Sequence, residues 1–240
     1  MEHFLFKCLE EKKHIVSLVG AGGKTTVMYQ LAEHFANLGK KVLVTTTTHI
    51  FQPNDNFAKS IAEVETFWET GSYAVVGSVE VSSGKLVKLP EEVLKNYSSL
   101  ADLVLVEADG AKHFPCKAPA ENEPVLLPES DVIIAVMGLD ALHQPIKKVC
   151  FRLEKVMEVL DVTFEHCLTE EDAVKLLLSE QGAFKNVGQR NYFIVLNKCD
   201  DENRVNSALK IRSLLGKEGF ALEKLWIRGE AYREREDCIL

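Results

Sequence analysis

Long apolar runs are absent from this sequence, and none approaches the roughly 20 residues that a helix needs to cross a bilayer. The first residues carry no basic region followed by a long apolar segment and a small-residue cleavage site, so they do not resemble a secretory signal. Cys238 is third from the end, whereas a prenylation box needs its cysteine fourth from the end. From these absences we expect a cytoplasmic protein with no membrane partner.

Paired cysteines and an excess of positive charge are also absent. The six cysteines show no C-x-x-C spacing, so we expect free thiols in a reducing compartment. Lysine and arginine number 28 against 36 acidic residues, which gives a formal net charge of −8. Because nucleic acids attract basic surfaces, this balance predicts that nucleic acid is not a partner.

The sequence does contain a regular alternation of short apolar runs with helical segments. Its composition is ordinary, with 46% hydrophobic and 27% charged residues, and its length fits one nucleotide-binding domain over residues 1–240. This alternation predicts an α/β fold, specifically a P-loop NTPase-like three-layer sandwich around a mostly parallel sheet. We expect its buried strands near residues 14–19, 41–44, 103–106, 132–136 and 192–196.

Two segments depart from that alternation. Residues 73–89 contain two apolar stretches, 73–81 and 85–89, joined through Ser82-Ser83-Gly84. This pattern predicts a small β-hairpin insertion. The residues after Gly229 are densely charged, so we interpret 229–240 as a polar tail without assigned structure.

The main functional signal lies between the first predicted strand and the helix that follows it. Glycines let backbone amides approach an anion, and a helix start adds unpaired N–H donors and partial positive charge. Lys24 is placed to reach the β- and γ-phosphates of a nucleotide, and the Thr25 hydroxyl to ligate Mg²⁺. We predict that ATP or GTP, with Mg²⁺, binds to Gly20, Ala21, Gly22, Gly23, Lys24, Thr25 and Thr26.

This loop is two residues shorter than the standard phosphate-binding pattern, in which a glycine would occupy the position of Leu18. In this respect it resembles the short loop of the Mur-type peptide ligases. The shortening leaves the roles of Lys24 and Thr25 intact, but fewer backbone amides remain to surround the phosphates.

Polar side chains follow two other predicted strands. Glu107 and Asp109 end the strand near 103–106 and point to the same side by the period of two. A carboxylate there would hold Mg²⁺ directly or through water. We assign Thr25 and Asp109 to the metal, and Lys24, Glu107 and Asp109 to catalysis. Thr45–Thr48 end another strand and could bind phosphate or metal-bound water, although threonine also simply suits strands.

A further motif, Asn197-Lys198-Cys199-Asp200, follows the strand near 192–196. It resembles the guanine-specificity motif of GTPases, in which the aspartate accepts hydrogen bonds from guanine N1–H and the exocyclic amine. We assign Asn197, Lys198 and Asp200 to nucleotide binding. The alternative is a turn cap, which Asn and Asp also supply, so the choice between ATP and GTP stays open.

Six blocks of sequence between residues 19 and 200 together resemble the YqeC family. Lys117–Pro124 is the most distinctive block, because no general argument about nucleotide sites predicts it. The resemblance implies an accessory role for selenium-dependent molybdenum hydroxylases, with such an enzyme or its cofactor-maturation machinery as partner. The six blocks are Val19–Thr26, Thr45–His49, Glu107–Lys112, Lys117–Pro124, Gly138–Leu142 and Asn197–Asp200.

These features favour a nucleoside triphosphate hydrolase that drives a conformational step in a partner enzyme or in cofactor handling. Two alternatives stay open. One is a small-molecule kinase or ligase, whose pocket would be formed by residues 112–124 with Lys112, Lys117 and Arg152 as candidate cations for an anionic substrate. The other is a non-catalytic nucleotide-binding module, which would carry the same motifs without turnover.

Overall fold

Strands alternate with helices along the chain, in the way that the sequence predicts. A computed structural model describes residues 3–232. Within that range the strands are β1 (His14–Gly20), β2 (Val42–Thr46), β3 (His49–Phe51), β4 (Ala74–Val75), β5 (Ser78–Glu80), β6 (Lys85–Val87), β7 (Leu103–Glu107), β8 (Cys116–Lys117), β9 (Val132–Gly138), β10 (Cys150–Phe151), β11 (Asn191–Asn197) and β12 (Leu225–Ile227). The α-helices are α1 (Phe4–Glu10), α2 (Lys24–Asn37), α3 (Ile61–Glu69), α4 (Glu91–Leu100), α5 (Ile146–Val149), α6 (Leu153–Leu160), α7 (Glu170–Leu178) and α8 (Glu202–Lys217).

Seven of these strands form a central sheet in the spatial order β12-β11-β9-β1-β7-β2-β4, and every neighbouring pair is parallel. β1 lies in the middle, where Ser17 is opposite Val106 on one side and Ile133 on the other. Strands covered on both faces are apolar almost throughout, which is why the runs in this sequence lack a polar alternation. The predicted three-layer α/β architecture with a parallel sheet is confirmed.

Helices cover both faces of the sheet. Helices α1 and α2 pack on one face against side chains such as Val16 and Leu18 of β1. The opposite face is covered by α3 and α4 near β2 and β7, and by α6, α7 and α8 near β9 and β11. Burial of each large aliphatic side chain contributes about 1.5–3 kcal/mol, so these layers hold the strand ends in fixed positions.

The predicted hairpin is present but shorter than expected. Strands β5 and β6 pair antiparallel, and β3 joins them in a separate three-stranded sheet. The first predicted strand, 73–81, was wrong as one element, because β4 belongs to the central sheet and pairs with β2. The chain changes sheets at Gly77, which packs so closely on Leu86 that a Cβ would lie 2.9 Å from the Leu86 Cβ.

Other differences are local. Helix α1 has no counterpart among the predicted elements, and strands β8 and β10 pair in a separate two-stranded sheet. A 3₁₀ turn at Leu222–Lys224 precedes β12. Residues 233–240 of the predicted polar tail lie outside the described residues. Across residues 3–232, no helix has the length and apolar character required to span a membrane.

The parallel arrangement brings several strand ends to one edge of the sheet. In such sheets ligands bind beyond the carboxyl ends of the strands. At this edge β1 ends at Gly20, β2 at Thr46, β7 at Glu107, β9 at Gly138 and β11 at Asn197. The polar motifs of the sequence are therefore neighbours in space.

Candidate functional site

The turn between β1 and α2 requires glycine at two positions. Gly22 has a φ of +79° and Gly23 a φ of +112°, both in the left-handed region that side chains disfavour. A Cβ at Gly22 would overlap the backbone of Gly138, and a Cβ at Gly23 would overlap the side-chain amide of Asn197. These glycines let the turn pack directly on the ends of β9 and β11.

Four consecutive backbone amides at the start of α2 are available to an anion. The first hydrogen bond of the helix runs from the Val27 amide to the Gly23 carbonyl, at 3.0 Å. The amides of residues 23–26 precede it and have no acceptor among the described residues. We call these four amides the phosphate cradle, because a helix start with free N–H groups favours negative charge.

The three earlier residues of the predicted site do not contribute free amides. Their N–H groups are used inside the protein, so their role is to shape the turn. Gly20 donates to Asp109 Oδ2 at 3.0 Å, Ala21 to the Val136 carbonyl at 2.8 Å, and Gly22 to the Phe114 carbonyl at 3.0 Å.

Lys24 lies at the base of the cradle and is only 3% exposed. Its Nζ donates to the Gly20 carbonyl at 2.7 Å and lies 3.0 Å from Asp109 Oδ1. The ammonium group is thus held beside the turn, in contact with two oxygens of the protein.

Asp109 is part of a buried ion network. Its Oδ2 accepts a hydrogen bond from Lys117 Nζ at 2.9 Å, and Lys117 Nζ also donates to Glu123 Oε2 at 2.6 Å. Arg152 donates to both oxygens of Glu123, at 2.7 and 2.8 Å. The side chains of Asp109 and Lys117 are 3% and 1% exposed. Asp109 therefore lies between the ammonium groups of Lys24 and Lys117.

Glu107, not Asp109, is the carboxylate that contacts Thr25. The Thr25 hydroxyl donates to Glu107 Oε2 at 2.7 Å. Burial raises the pKa of Glu107, while the nearby Lys24 ammonium and the Thr25 hydrogen bond oppose that shift and the Asp109 charge adds to it. A desolvated carboxylate is stabilised by a cation placed against it, so this pair is suited to bind one.

The Tyr29 OH of α2 is buried without a hydrogen-bond partner among the described residues. The Thr45 Oγ1 of β2 is also buried without such a partner, but Thr45 is opposite Val106 in the sheet, not Glu107. The Glu107 charge is one of the causes, after burial and the Tyr73 hydroxyl, that raise the pKa of Tyr29. The next two threonines donate to carbonyls, Thr46 to Glu107 at 3.0 Å and Thr47 to Val125 at 2.7 Å. Of the predicted threonine cluster, Thr45 thus has spare hydrogen-bonding capacity.

Asn197 at the end of β11 connects the turn between β1 and α2 to Arg228, the residue after β12. Its Nδ2 donates to the Gly22 carbonyl at 2.8 Å, and its Oδ1 accepts from Arg228 Nη1 at 3.0 Å. Lys198 has a φ of +63° and donates to Asp140 Oδ2 at 2.6 Å. Asp200 is exposed, its Oδ1 accepts a hydrogen bond from the Glu230 amide at 3.3 Å, and Arg204 Nη1 lies 3.7 Å from its Oδ2.

The predicted metal ligands are therefore not brought together. Thr25 contacts Glu107, whereas both oxygens of Asp109 are engaged by Lys24, Lys117 and the Gly20 amide. Residues 3–232 contain no cluster of three or more His, Cys, Asp or Glu side chains suited to a metal. A cation at this site would have Thr25 and Glu107 as its protein ligands.

Several contacts of the site were missed from the sequence. Arg152 was expected as a cation for an anionic substrate, and Glu123 was given no role of its own. Both are remote in sequence from residues 20–26, the phosphate loop, and meet it through Lys117. The block Lys117–Pro124 stood out by resemblance, but its spacing gave no sign of an ion network. Nor did any signal link Arg228 or Tyr29 to this edge of the sheet.

Comparison with known proteins identifies a family and a relative of this chain. A family model described as YqeC protein matches residues 16–154, a segment that contains the cradle, Glu107 and the buried ion network. The Uncharacterized protein YqeC of Escherichia coli (strain K12) is 30% identical over 237 residues, which cover 91% of this chain and 88% of that protein.

Proposed function

This chain belongs to the YqeC family, and from that premise and the geometry of its phosphate cradle we propose that it binds and hydrolyses a magnesium nucleoside triphosphate. One observation carries the proposal. Four unpartnered amides at a helix start, a buried lysine and a Thr25–Glu107 pair lie at the carboxyl edge of a parallel sheet. The amides and the ammonium group suit the phosphates, and the Thr25–Glu107 pair suits the magnesium ion that accompanies them.

In the proposed complex, phosphate oxygens accept hydrogen bonds from the amides of residues 23–26. Lys24 Nζ turns from Asp109 towards the β- and γ-phosphates. After that movement Asp109 still accepts hydrogen bonds from Lys117 and the Gly20 amide. Phosphoryl transfer requires mainly positioning and charge stabilisation, which these groups supply.

We propose that Mg²⁺ binds Thr25 Oγ1 and a Glu107 oxygen, in place of the hydrogen bond that now joins them. The cation would neutralise phosphate charge, and the Tyr29 hydroxyl, whose pKa is raised by burial and also by the Glu107 charge, would be a further polar group at this site. This assignment replaces Asp109 by Glu107 as the metal carboxylate and leaves Asp109 to position Lys24 and the Gly20 amide.

The test is a thermal-shift titration with ATP, GTP and their diphosphates, with and without Mg²⁺, followed by a phosphate-release assay. A ligand that binds the folded state raises the melting temperature by mass action. We expect Mg²⁺-dependent stabilisation that is larger for a triphosphate, together with release of phosphate. Transfer of label to an added small molecule would instead favour the kinase or ligase, and binding without turnover the non-catalytic module.

Glu107→Gln should separate stability from metal binding. Burial raises the pKa of Glu107 in the folded state, so protonated Glu107 stabilises the fold relative to the unfolded chain. This stabilisation is complete below the ordinary pKa of glutamate and is lost as the pH rises through the raised pKa of the folded state. We therefore expect Glu107→Gln to raise the melting temperature of the free protein at neutral pH and to weaken Mg²⁺-dependent nucleotide binding roughly 10- to 100-fold. A variant that retains wild-type Mg²⁺ dependence would remove Glu107 from the metal site.

We propose that the nucleobase of the bound nucleotide lies beside Asp200, on the β11 side of the phosphate loop. The Asn197 amide is already bonded to the Gly22 carbonyl. The exposed carboxylate of Asp200 is therefore the group of this motif that can accept hydrogen bonds from a nucleobase. Asp200→Asn should weaken GTP binding at least about tenfold, the loss of a charged hydrogen bond, and leave ATP binding nearly unchanged. Isothermal titration with both nucleotides measures this, and equal losses for the two would contradict a guanine site.

The physiological role that the family resemblance implies, an accessory function for selenium-dependent molybdenum hydroxylases, is a proposal of the same kind. Hydrolysis at the cradle would drive a conformational step in the partner or in cofactor handling. Nucleotide-dependent co-purification with such an enzyme is the measurement that tests it.

A further inference from the structure

A strained turn lies directly beside the phosphate loop and has no role in the proposal above. Lys112 has a φ of +46° and His113 a φ of +65°, so two consecutive residues with side chains adopt the left-handed conformation. That conformation is unfavourable for such residues and concentrates at functional sites, where surrounding structure holds it. Glycine would adopt it freely at either position.

Contacts on the carboxyl side of the turn hold this conformation in place. The Phe114 amide donates to the Ala111 carbonyl at 3.0 Å, and the Phe114 carbonyl accepts from the Gly22 amide at 3.0 Å. The Pro115 carbonyl accepts from the Gly138 amide, also at 3.0 Å. The turn is thus bonded to the phosphate loop, while the side chains of Lys112 and His113 are exposed.

The turn presents an aromatic surface. The rings of His113 and Phe51 are stacked, with centroids 6.2 Å apart and planes 22° apart, and 63% of Phe51 is exposed. The next residue, Phe114, stacks on Phe151 with centroids 6.0 Å apart and planes 21° apart. Flat, exposed ring faces favour stacking of another planar ring.

Positive charge accompanies these rings. Lys85 Nζ lies 4.8 Å from the centroid of Phe51, and Lys112 Nζ lies 5.5 Å from the centroid of Phe151. No carboxylate of the described residues forms an ion pair within 4 Å of Lys112, and the acidic residue facing Lys85 is Glu80, opposite it in the β5–β6 pair. Arg152 and Lys117, by contrast, are paired with Glu123.

We propose that Phe51, Lys85, Lys112 and His113, which we call the aromatic platform, bind a planar aromatic anion as a second ligand. The ring of the ligand stacks on Phe51 and His113, and its anionic group pairs with the lysines. Phe51 follows β2 and Asp200 follows β11, and these strands lie on opposite sides of β1 in the sheet. The platform is therefore separate from the proposed nucleobase site, and its occupancy does not depend on nucleotide binding.

The experiment uses flavin mononucleotide as a probe, because it joins a flat ring system to a phosphate. Riboflavin retains the ring without the phosphate, and ribose 5-phosphate retains the phosphate without the ring. Equilibrium dialysis should show flavin mononucleotide binding at least about tenfold more tightly than either fragment. Absence of flavin mononucleotide binding, or equal binding of ribose 5-phosphate, overturns the platform.

Competition distinguishes the platform from the cradle. Inorganic tripolyphosphate can fill the cradle but has no ring, so we expect it not to displace flavin mononucleotide. Displacement would mean that the probe occupies the phosphate loop, which overturns the platform and leaves the proposed triphosphate site standing.

Substitution tests the strain directly. His113→Gly removes a stacking ring and relieves the left-handed strain, so we expect a melting temperature equal to or above wild type with roughly tenfold weaker probe binding. Phe51→Leu should weaken binding similarly.

Phe164 is a matched control, because it is 49% exposed and has Lys147 Nζ 5.4 Å from its centroid but no strained neighbour. Wild-type affinity in His113→Gly and Phe51→Leu, or an equal loss in Phe164→Leu, would contradict the assignment.

Discussion

Lys24→Ala is expected to abolish most of the affinity for a nucleoside triphosphate while the protein stays folded. Truncation of one partner of a buried, hydrogen-bonded charge pair costs about 2–5 kcal/mol, which is roughly 30-fold to several thousandfold in affinity. Lys24 qualifies because its Nζ is buried at the cradle, 2.7 Å from the Gly20 carbonyl. Isothermal titration with MgATP and MgGTP measures the loss, and phosphate release should fall with it.

The same variant should keep its fold, because Asp109 does not lose all its donors. Lys117 Nζ and the Gly20 amide still bind Asp109 Oδ2, at 2.9 and 3.0 Å. The melting temperature without nucleotide should therefore change much less than the affinity. A variant that fails to fold would indicate that the Lys24–Asp109 contact is primarily structural.

Lys13→Ala is a matched control for this loss. Lys13 immediately precedes β1, at the end opposite the phosphate loop, and its Nζ also donates to backbone carbonyls, those of Ser98 and Ser99. Nucleotide affinity should be unchanged in Lys13→Ala. If Lys24→Ala binds triphosphate like the wild type, the cradle is not the nucleotide site.

The architecture was predictable because the signals that determine it are local. Buried parallel strands are apolar along their whole length, and turns or helix starts bound them, so the strands near 14–19, 103–106, 132–136 and 192–196 could be recognised. The apolar run through residues 74–76 misled the prediction, since it continues across the point where the chain changes sheets. Periodicity alone does not show which sheet a strand joins.

The place of the site was also predictable, but its internal pairing was not. Period two correctly placed Glu107 and Asp109 near the phosphate loop, yet it could not show that β7 ends at Glu107. Asp109 lies beyond the strand, where Lys117 binds it. That contact depends on the path of the chain through residues 110–117, and no local pattern encodes it.

The glycine turn illustrates the same limit. Its sequence indicated where an anion would bind, because glycines before a helix are a local signal. Which amides stay free depends on Val136, Phe114 and Asp109, whose oxygens accept from the first three amides. These acceptors come from separate strands and loops, so the cradle of residues 23–26 required the folded structure.

The second large effect is expected from Lys117→Met, which should lower the free energy of unfolding by about 3–5 kcal/mol. Methionine has a similar length but no charge, so the carboxylates of Asp109 and Glu123 would lose the ammonium group that joins them. Lys117 Nζ contacts them at 2.9 and 2.6 Å and also donates to the Gly110 carbonyl at 2.7 Å. Equilibrium unfolding in urea, monitored by circular dichroism, measures the change.

A double variant identifies the ion network as the cause. If the loss in Lys117→Met comes from unpaired carboxylates, Glu123→Gln added to it should cost less than it does in the wild type. Lys155→Met is the matched surface control, because Lys155 contacts Glu158 at 2.8 Å but the two side chains are 39% and 59% exposed. Water screens such a pair, so its removal should be barely measurable. Stability within about 0.5 kcal/mol of wild type for Lys117→Met would show that the network does not stabilise the fold.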